Sequence, residues 1–238
     1  DTLEVNELLD SDYPLPTKIE NEETLVIVTL CTTGEGGAAL IKNILEKQLS
    51  FSDNHFKIIP LSILGNENIE TKLKNIKEEY RLICVVGSFR VNTDVPQYGI
   101  DRILDQSALQ DIQKLIDIEN AYLKIGDTFE NHLRNIDGQL VLQGIKKFIK
   151  HIEDSLDIKI ATSILIGIAM HMGCMIDRIK SGGNVSEFIG KEPFIQDHSR
   201  LYQFIKRECA ELGKQYQIEI SEDEICHLVV LFNPKNIG

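Results

Sequence analysis

The sequence predicts an α/β domain followed by an all-α domain, and three observations carry that reading. Over residues 24–120, continuous apolar runs alternate with helical patterns, the signature of βαβ units on a parallel sheet. Beyond about Gly126 the runs give way to apolar residues recurring mostly every three or four positions. Between the first run and the first helix lies a glycine-rich loop, "CTTGEGGA", residues 31–38.

The elements follow in order. Residues 1–23 are acidic, hold two prolines and keep no period, which reads as a linker. Thr24–Cys31 is an unbroken apolar run, as in a strand buried on both faces. Gly37–Leu49 carries Leu40, Ile41, Ile44, Leu45 and Leu49 at helical spacing. Phe56–Ile63 is a second strand, Asn68–Tyr80 a charged helix and Arg81–Gly87 a third strand; a turn and a helix close the unit near 120. In the second half, Phe129, Leu133, Ile136, Leu140, Ile145, Phe148, Ile152 and Leu156 predict one long amphipathic helix. Ile160–Ile179 is a more apolar one, "KSGGNVSE" a loop, and Leu201 to Leu212 a third helix. "SEDEICHLVVLF" opens the last helix with Ser221 and Glu224 three apart, a capping box.

Composition narrows the function. A formal net charge of −12 argues against direct nucleic-acid contact, which needs a basic face. Five cysteines at irregular spacing fit a reducing cytoplasm rather than a disulfide framework. No apolar run approaches the ~20 residues that span a bilayer, and a first residue of Asp1 suggests a piece of a longer chain.

The loop after the first strand is a phosphate cradle in outline. A Walker loop needs Lys and then Ser or Thr after its last glycine, but Gly36 is followed by Gly37 and Ala38. A Cys-x5-Arg phosphatase needs arginine where Gly37 stands. What survives is a phosphocysteine carrier, its thiolate favoured and its phosphate held by a helix N-terminus, or an ordinary buried thiol at Cys31. "IVTLCTTGEGGA" resembles the active-site loop of the galactitol-type enzyme IIB of the bacterial sugar phosphotransferase system. The resemblance implies that Cys31 is the acceptor and that Thr32, Thr33, Gly34, Gly36 and Gly37 contact the phosphate. Glu35 departs from a working cradle: a carboxylate ~7 Å from a phosphoryl group costs roughly 2 kcal/mol per unit charge at an effective dielectric near 20. Cys84, inside the third strand, reads as core.

Among six histidines, His171 has distinctive neighbours. Helical spacing puts Gly167, His171, Cys174 and Arg178 on one stripe, beside an apolar stripe of Ile164, Ile168, Met172, Met175 and Ile179. An imidazole so placed can accept a phosphoryl group with Arg178 pairing the added charge; from spacing alone, a hydrogen-bonded structural histidine is the favoured reading. His132 and His151 fall among charged residues and read as solvated.

"HMGCMIDR" resembles the H-I-x-x-A-I-x-R signature of the phosphotransferase-system regulation domain, and "ISEDEICHLVVLF" is similar to that domain's last helix. The likeness spans about 127–232 and implies a five-helix bundle with His171 as phosphoacceptor and Arg178 beside it. A second regulatory histidine is expected near Leu231 and is absent; His227 stands earlier on the helix. The domain order resembles the C-terminal part of sigma-54-dependent activators of the levanase or mannose type. That resemblance implies a cytoplasmic, non-enzymatic, homo-oligomeric sensor without cofactor or metal, receiving phosphate from HPr or from IIB and IIA components and touching neither membrane nor nucleic acid. The other reading is a catalytic IIB carrier passing phosphate from Cys31 to a sugar.

Overall fold

The computed structural model describes residues 24–32, 34–51, 55–62 and 68–233. The stretch 1–23, expected as a linker, lies outside the described residues, as does Ile63 at the end of the expected second strand. Two compact units divide between Leu123 and Lys124; the sequence pattern put the domain edges at 120 and 127.

The first unit is α/β. It runs β1 (Leu25–Cys31), α1 (Glu35–Gln48), β2 (Phe56–Ser62), α2 (Ile69–Glu79), β3 (Arg81–Gly87), β4 (Gln97–Gly99), α3 (Ile100–Leu104) and the first part of α4 (Leu109–His132). The sheet is parallel throughout, in the order β2-β1-β3-β4. Every residue of β1 is buried, because β1 lies inside the sheet with helices on both faces. Leu25 and Ile27 join Ile41 and Leu45 of α1 and Ile112 and Ile116 of α4 in one apolar layer. Val26, Val28 and Leu30 join Leu73 of α2 in the other. Pro60 sits in β2, an edge strand, where its missing N–H breaks no ladder. The turn expected over "VPQYGIDRIL" holds instead the short strand β4 and, directly after it, α3. Three residues carry no period to read; the pairing of β4 with β3, flanked by the 2.9 Å bond from Val85 N–H to Pro96 O, defines it.

The second unit is helical: the end of α4, then α5 (Gly138–Leu156), α6 (Thr162–Lys180), α7 (Lys191–Asp197), α8 (Ser199–Tyr216) and α9 (Glu222–Leu231). The single long helix expected from Phe129 to Leu156 is two helices broken at residues 133–137. Leu133 and Ile136 keep the period across the break, so the apolar pattern hid it. Polar partners make it: Asp177 of α6 accepts from the backbone N–H of Arg134 and Asn135 at 3.1 and 2.8 Å. Asp137 then caps α5 by accepting from Leu140 N–H at 3.0 Å. A Cβ on Gly138 would lie 2.7 Å from backbone atoms of Phe129 and Glu130, so the two helices meet here only because the side chain is missing.

Within the bundle, Ile168, Met172, Met175, Ile205, Ile225, Leu228, Phe148 and Phe232 are buried. Contrary to the expectation that no segment could span a bilayer, α6 is long and apolar enough by itself, with a mean hydropathy of 1.3. Its apolar stripe is buried in the bundle, whose core explains that composition. Gly138→Ala is expected to lower stability by about 1–3 kcal/mol through overpacking, read as a fall in thermal midpoint with the helical signal retained.

Candidate functional site

The α/β unit brings the cysteine loop to the place where such sheets bind ligands. The chain leaves β1 toward β2 and returns to β3 on the other side, so the C-terminal ends of β1 and β3 flank the switch point of the sheet. Cys31 ends β1 there, opposite Ser62 of β2. By strand alternation it faces the same side as Thr29, whose hydroxyl donates to Ala38 O of α1 at 2.9 Å. The loop is tied to β3 by Ser88, whose N–H donates to Leu30 O at 3.2 Å and whose Oγ accepts from Thr32 N–H at 3.4 Å. Gly34 adopts φ 115°, a left-handed setting that glycine alone takes without strain. It stands at the N-cap of α1, where no side chain caps the helix. Gly36 is exposed with open space around it, and Gly37 is half-buried. Thr33 and the side chain of Glu35 lie outside the described residues. Cys31 itself is only 9% exposed, a poor setting for a nucleophilic thiolate, which needs access as well as a lowered pKa. Cys84 is wholly buried, and burial pushes its thiol up to about 12.

The helical unit assembles a different site, built on Glu224. Ser221 caps α9, its Oγ accepting from Glu224 N–H at 3.4 Å. That is half of the capping box. The other half is diverted: the Glu224 carboxylate reaches across to α6, where Oε1 accepts from Arg178 Nη2. Its Oε2 lies 3.6 Å from His171 Nε2. The Glu224 side chain is 2% exposed, the His171 side chain 33%. His171 Nε2, Glu224 Oε2 and Arg178 Nε are buried atoms without a hydrogen bond of good geometry among the described residues. Burial pushes the Glu224 carboxyl upward, but the imidazole of His171 and the charges of Arg178, His171 and His227 outweigh it, and the net shift is downward.

Surrounding elements hold this cluster. The His227 ring of α9 lies 6.4 Å from that of His171 and meets Phe188 edge-on at 5.1 Å. Asp223 accepts from Phe188 N–H at 2.9 Å and from Lys191 at 3.0 Å, anchoring the stretch that leads into α7. Along α6, Gly167 and Cys174 face solvent on the stripe of His171, while Ile168, Met172 and Met175 form the buried one.

His171 and Arg178 are therefore brought together, but through a carboxylate rather than directly. Glu224 was legible only as a cap. His151 of α5 is exposed, as expected, and also holds Glu208 of α8 through Nδ1 at 2.6 Å. No local pattern couples these two, 57 residues apart.

The Glu224 contact gives a pH signature. A carboxyl with a lowered folded pKa contributes stability in full above its unfolded value of about 4.3, and loses it as pH falls through the folded value. Glu224→Gln is expected to flatten the acid limb of a stability–pH profile and to cost about 1–3 kcal/mol near neutrality, measured by denaturant melts from neutral pH into the acid range.

Residues 146–235, which contain this whole cluster, match the PRD domain family. The chain is 21% identical over 221 residues to the transcriptional regulatory protein LevR of Bacillus subtilis, covering 87% of this chain and 23% of that protein. It is 21% identical over 227 residues to the transcriptional regulatory protein DagR of Salmonella typhimurium, covering 87% of this chain and 24% of that protein. The chain thus spans about a quarter of the length of these curated relatives. No solved structure matches it. Its helical unit thus holds a stretch, residues 146–235, that matches the PRD domain family, in a chain similar over most of its length to part of two bacterial transcriptional regulators.

Proposed function

We propose that the chain is a phosphorylation-sensing module of a cytoplasmic transcriptional regulator, with His171 receiving a phosphoryl group from HPr or a IIB component of the sugar phosphotransferase system. The carrying observation is the His171–Glu224–Arg178 cluster, which links α6 to α9 inside the PRD domain. The role is regulatory rather than enzymatic.

The cluster suggests how modification is felt. A phosphoryl group on Nε2 and a carboxylate about 4 Å away repel by about 4 kcal/mol per pair of unit charges at an effective dielectric near 20. The phosphoryl group and the present Glu224 contact therefore exclude one another. Nε2 is buried in the closed arrangement, so transfer takes place when α9 draws back and Glu224 leaves it. Arg178, released from Glu224, then pairs with the phosphoryl oxygens, and the added charge holds the open arrangement. A ligand shifts such an equilibrium only by its differential affinity for the two states, and charge repulsion supplies that difference here.

A second reading, a catalytic IIB carrier on Cys31, is favoured by the position of Cys31 at the switch point of the sheet. Its burial opposes that reading. Incubation with phosphoenolpyruvate, enzyme I and HPr, with and without a IIB component, separates the two. The expected outcome is acid-labile phosphate on His171, abolished in His171→Ala and formed several-fold faster in Glu224→Gln. Phosphate appearing on Cys31 and passing to a sugar would establish the carrier instead.

A further inference from the structure

A cavity of about 280 Å³ lies at the C-terminal ends of β3 and β4 in the α/β unit, and shares no residue with the histidine cluster. In parallel sheets ligands bind in the crevice beyond the strand C-termini. Gly87 and Gly99 end the two strands and line the cavity, together with Arg90, Arg102, Tyr98 and Asp101. Its size falls just below the range of drug-sized pockets and suits a smaller guest.

The lining combines cations with one acid. Arg90 is exposed, and among the described residues its side chain makes no ion pair or hydrogen bond. Arg102 lies over the Tyr98 ring, its Cζ 5.6 Å from the centroid. It reaches Ser107 Oγ through Nε at 3.4 Å and Asp111 through Nη2 at 3.3 Å, long contacts that leave Nη1 free. Asp105 and Asp111, the other carboxylates whose charge Arg102 feels, are exposed and lie outside the lining. Water screens them, so the cavity wall sets two guanidinium groups against the single acid Asp101. Asp101 Oδ1 stands where a Cβ on Gly99 would be, so the carboxylate is folded back over the end of β4. Burial pushes the Tyr98 phenol up, so it keeps its proton and can donate. Guanidinium forks match oxyanions. A carboxylate only accepts, so beside an oxyanion it needs hydroxyl donors. A bare anion would leave Asp101 opposing it, and a neutral polyol would leave the arginines unused.

We propose that this cavity binds a small hydroxylated oxyanion, of the class of phosphorylated polyols and polyhydroxy acids. Arg90 and Arg102 take the oxyanion, and Asp101 accepts from the hydroxyls. No covalent bond is made or broken. The site uses neither Cys31 nor His171, so it stands apart from both phosphoryl-transfer readings.

The full 238-residue chain is titrated with glucose 6-phosphate and with gluconate, read by calorimetry and by backbone amide shifts. The expected result is saturable binding of at least one probe, with Kd of about 1 mM or tighter, and shifts at Ser88 and Gly99. Which probe binds separates a phosphoryl from a carboxylate source. Inorganic phosphate and glucose, each carrying half of the chemistry, are expected to bind at least about tenfold more weakly. Arg90→Gln is expected to weaken the bound probe about tenfold or more. Arg90 has no partner among the described residues to lose, so an unchanged thermal midpoint separates that loss from misfolding. Asp101→Asn is expected to weaken the probe as well, while inorganic phosphate binds no more weakly than before. Absence of saturable binding by both probes overturns the proposal. So does glucose or inorganic phosphate binding as tightly as the full probe, or full affinity in either substitution. Shifts centred on Gly36 with Gly99 unmoved would place the anion at the cysteine loop, and overturn it equally.

Discussion

A buried carboxylate must be paired, and in this protein that requirement joins two helices. Glu224 enters the bundle from the first turn of α9, where the helix N-terminus favours an acid. It is then obliged to find partners on α6. Arg178 supplies a direct bond and His171 a neighbouring imidazole. Much else follows from keeping that geometry. The Asp177 bonds fix the turn between α4 and α5 against the same stretch of α6, and Asp223 fixes the approach to α7 from the residue beside Glu224. A Cβ on Gly183 would come 2.7 Å from Arg178 Cγ, so the loop leaves room for the arginine stem. The pairing holds only while all three groups keep their positions, and a phosphoryl group on the imidazole would set further negative charge against the Glu224 carboxylate.

What could be read from the sequence divides along physical lines. β1 was legible because burial on both faces leaves an uninterrupted apolar run, and α6 because one face is continuously apolar. The break at residues 133–137 was not, since Leu133 and Ile136 preserve the helical period while the interruption is enforced by Asp177, more than forty residues away. β4 was missed for the same reason: its identity is a matter of pairing with β3. At the site, His171 and Arg178 could be singled out by spacing, whereas Glu224 looked like an ordinary capping residue. Spacing places side chains on one helix face; it says nothing about what a second helix inserts between them.

The two histidine–carboxylate pairs illustrate how position decides chemistry. At His151 a buried carboxylate stands 2.6 Å from Nδ1 of a half-exposed ring. At His171 the carboxylate opposes Nε2 and guards it. The cysteine loop of the α/β unit adds a third arrangement, a thiol at the sheet's switch point beneath an uncapped helix N-terminus, yet buried. The His171 cluster sets an imidazole against a contact between α6 and α9 inside the stretch that matches the PRD domain family, and for that reason it carries the regulatory reading.

Hydrogen exchange of the α9 backbone amides, compared before and after phosphorylation of His171, tests the central claim most directly. If the phosphoryl group displaces Glu224, amides of Glu222–Leu231 exchange faster once His171 is modified, and the same acceleration appears in unmodified Glu224→Gln. Unchanged protection of α9 with the phosphoryl group in place would show that modification leaves the α6–α9 link intact, and would contradict the account.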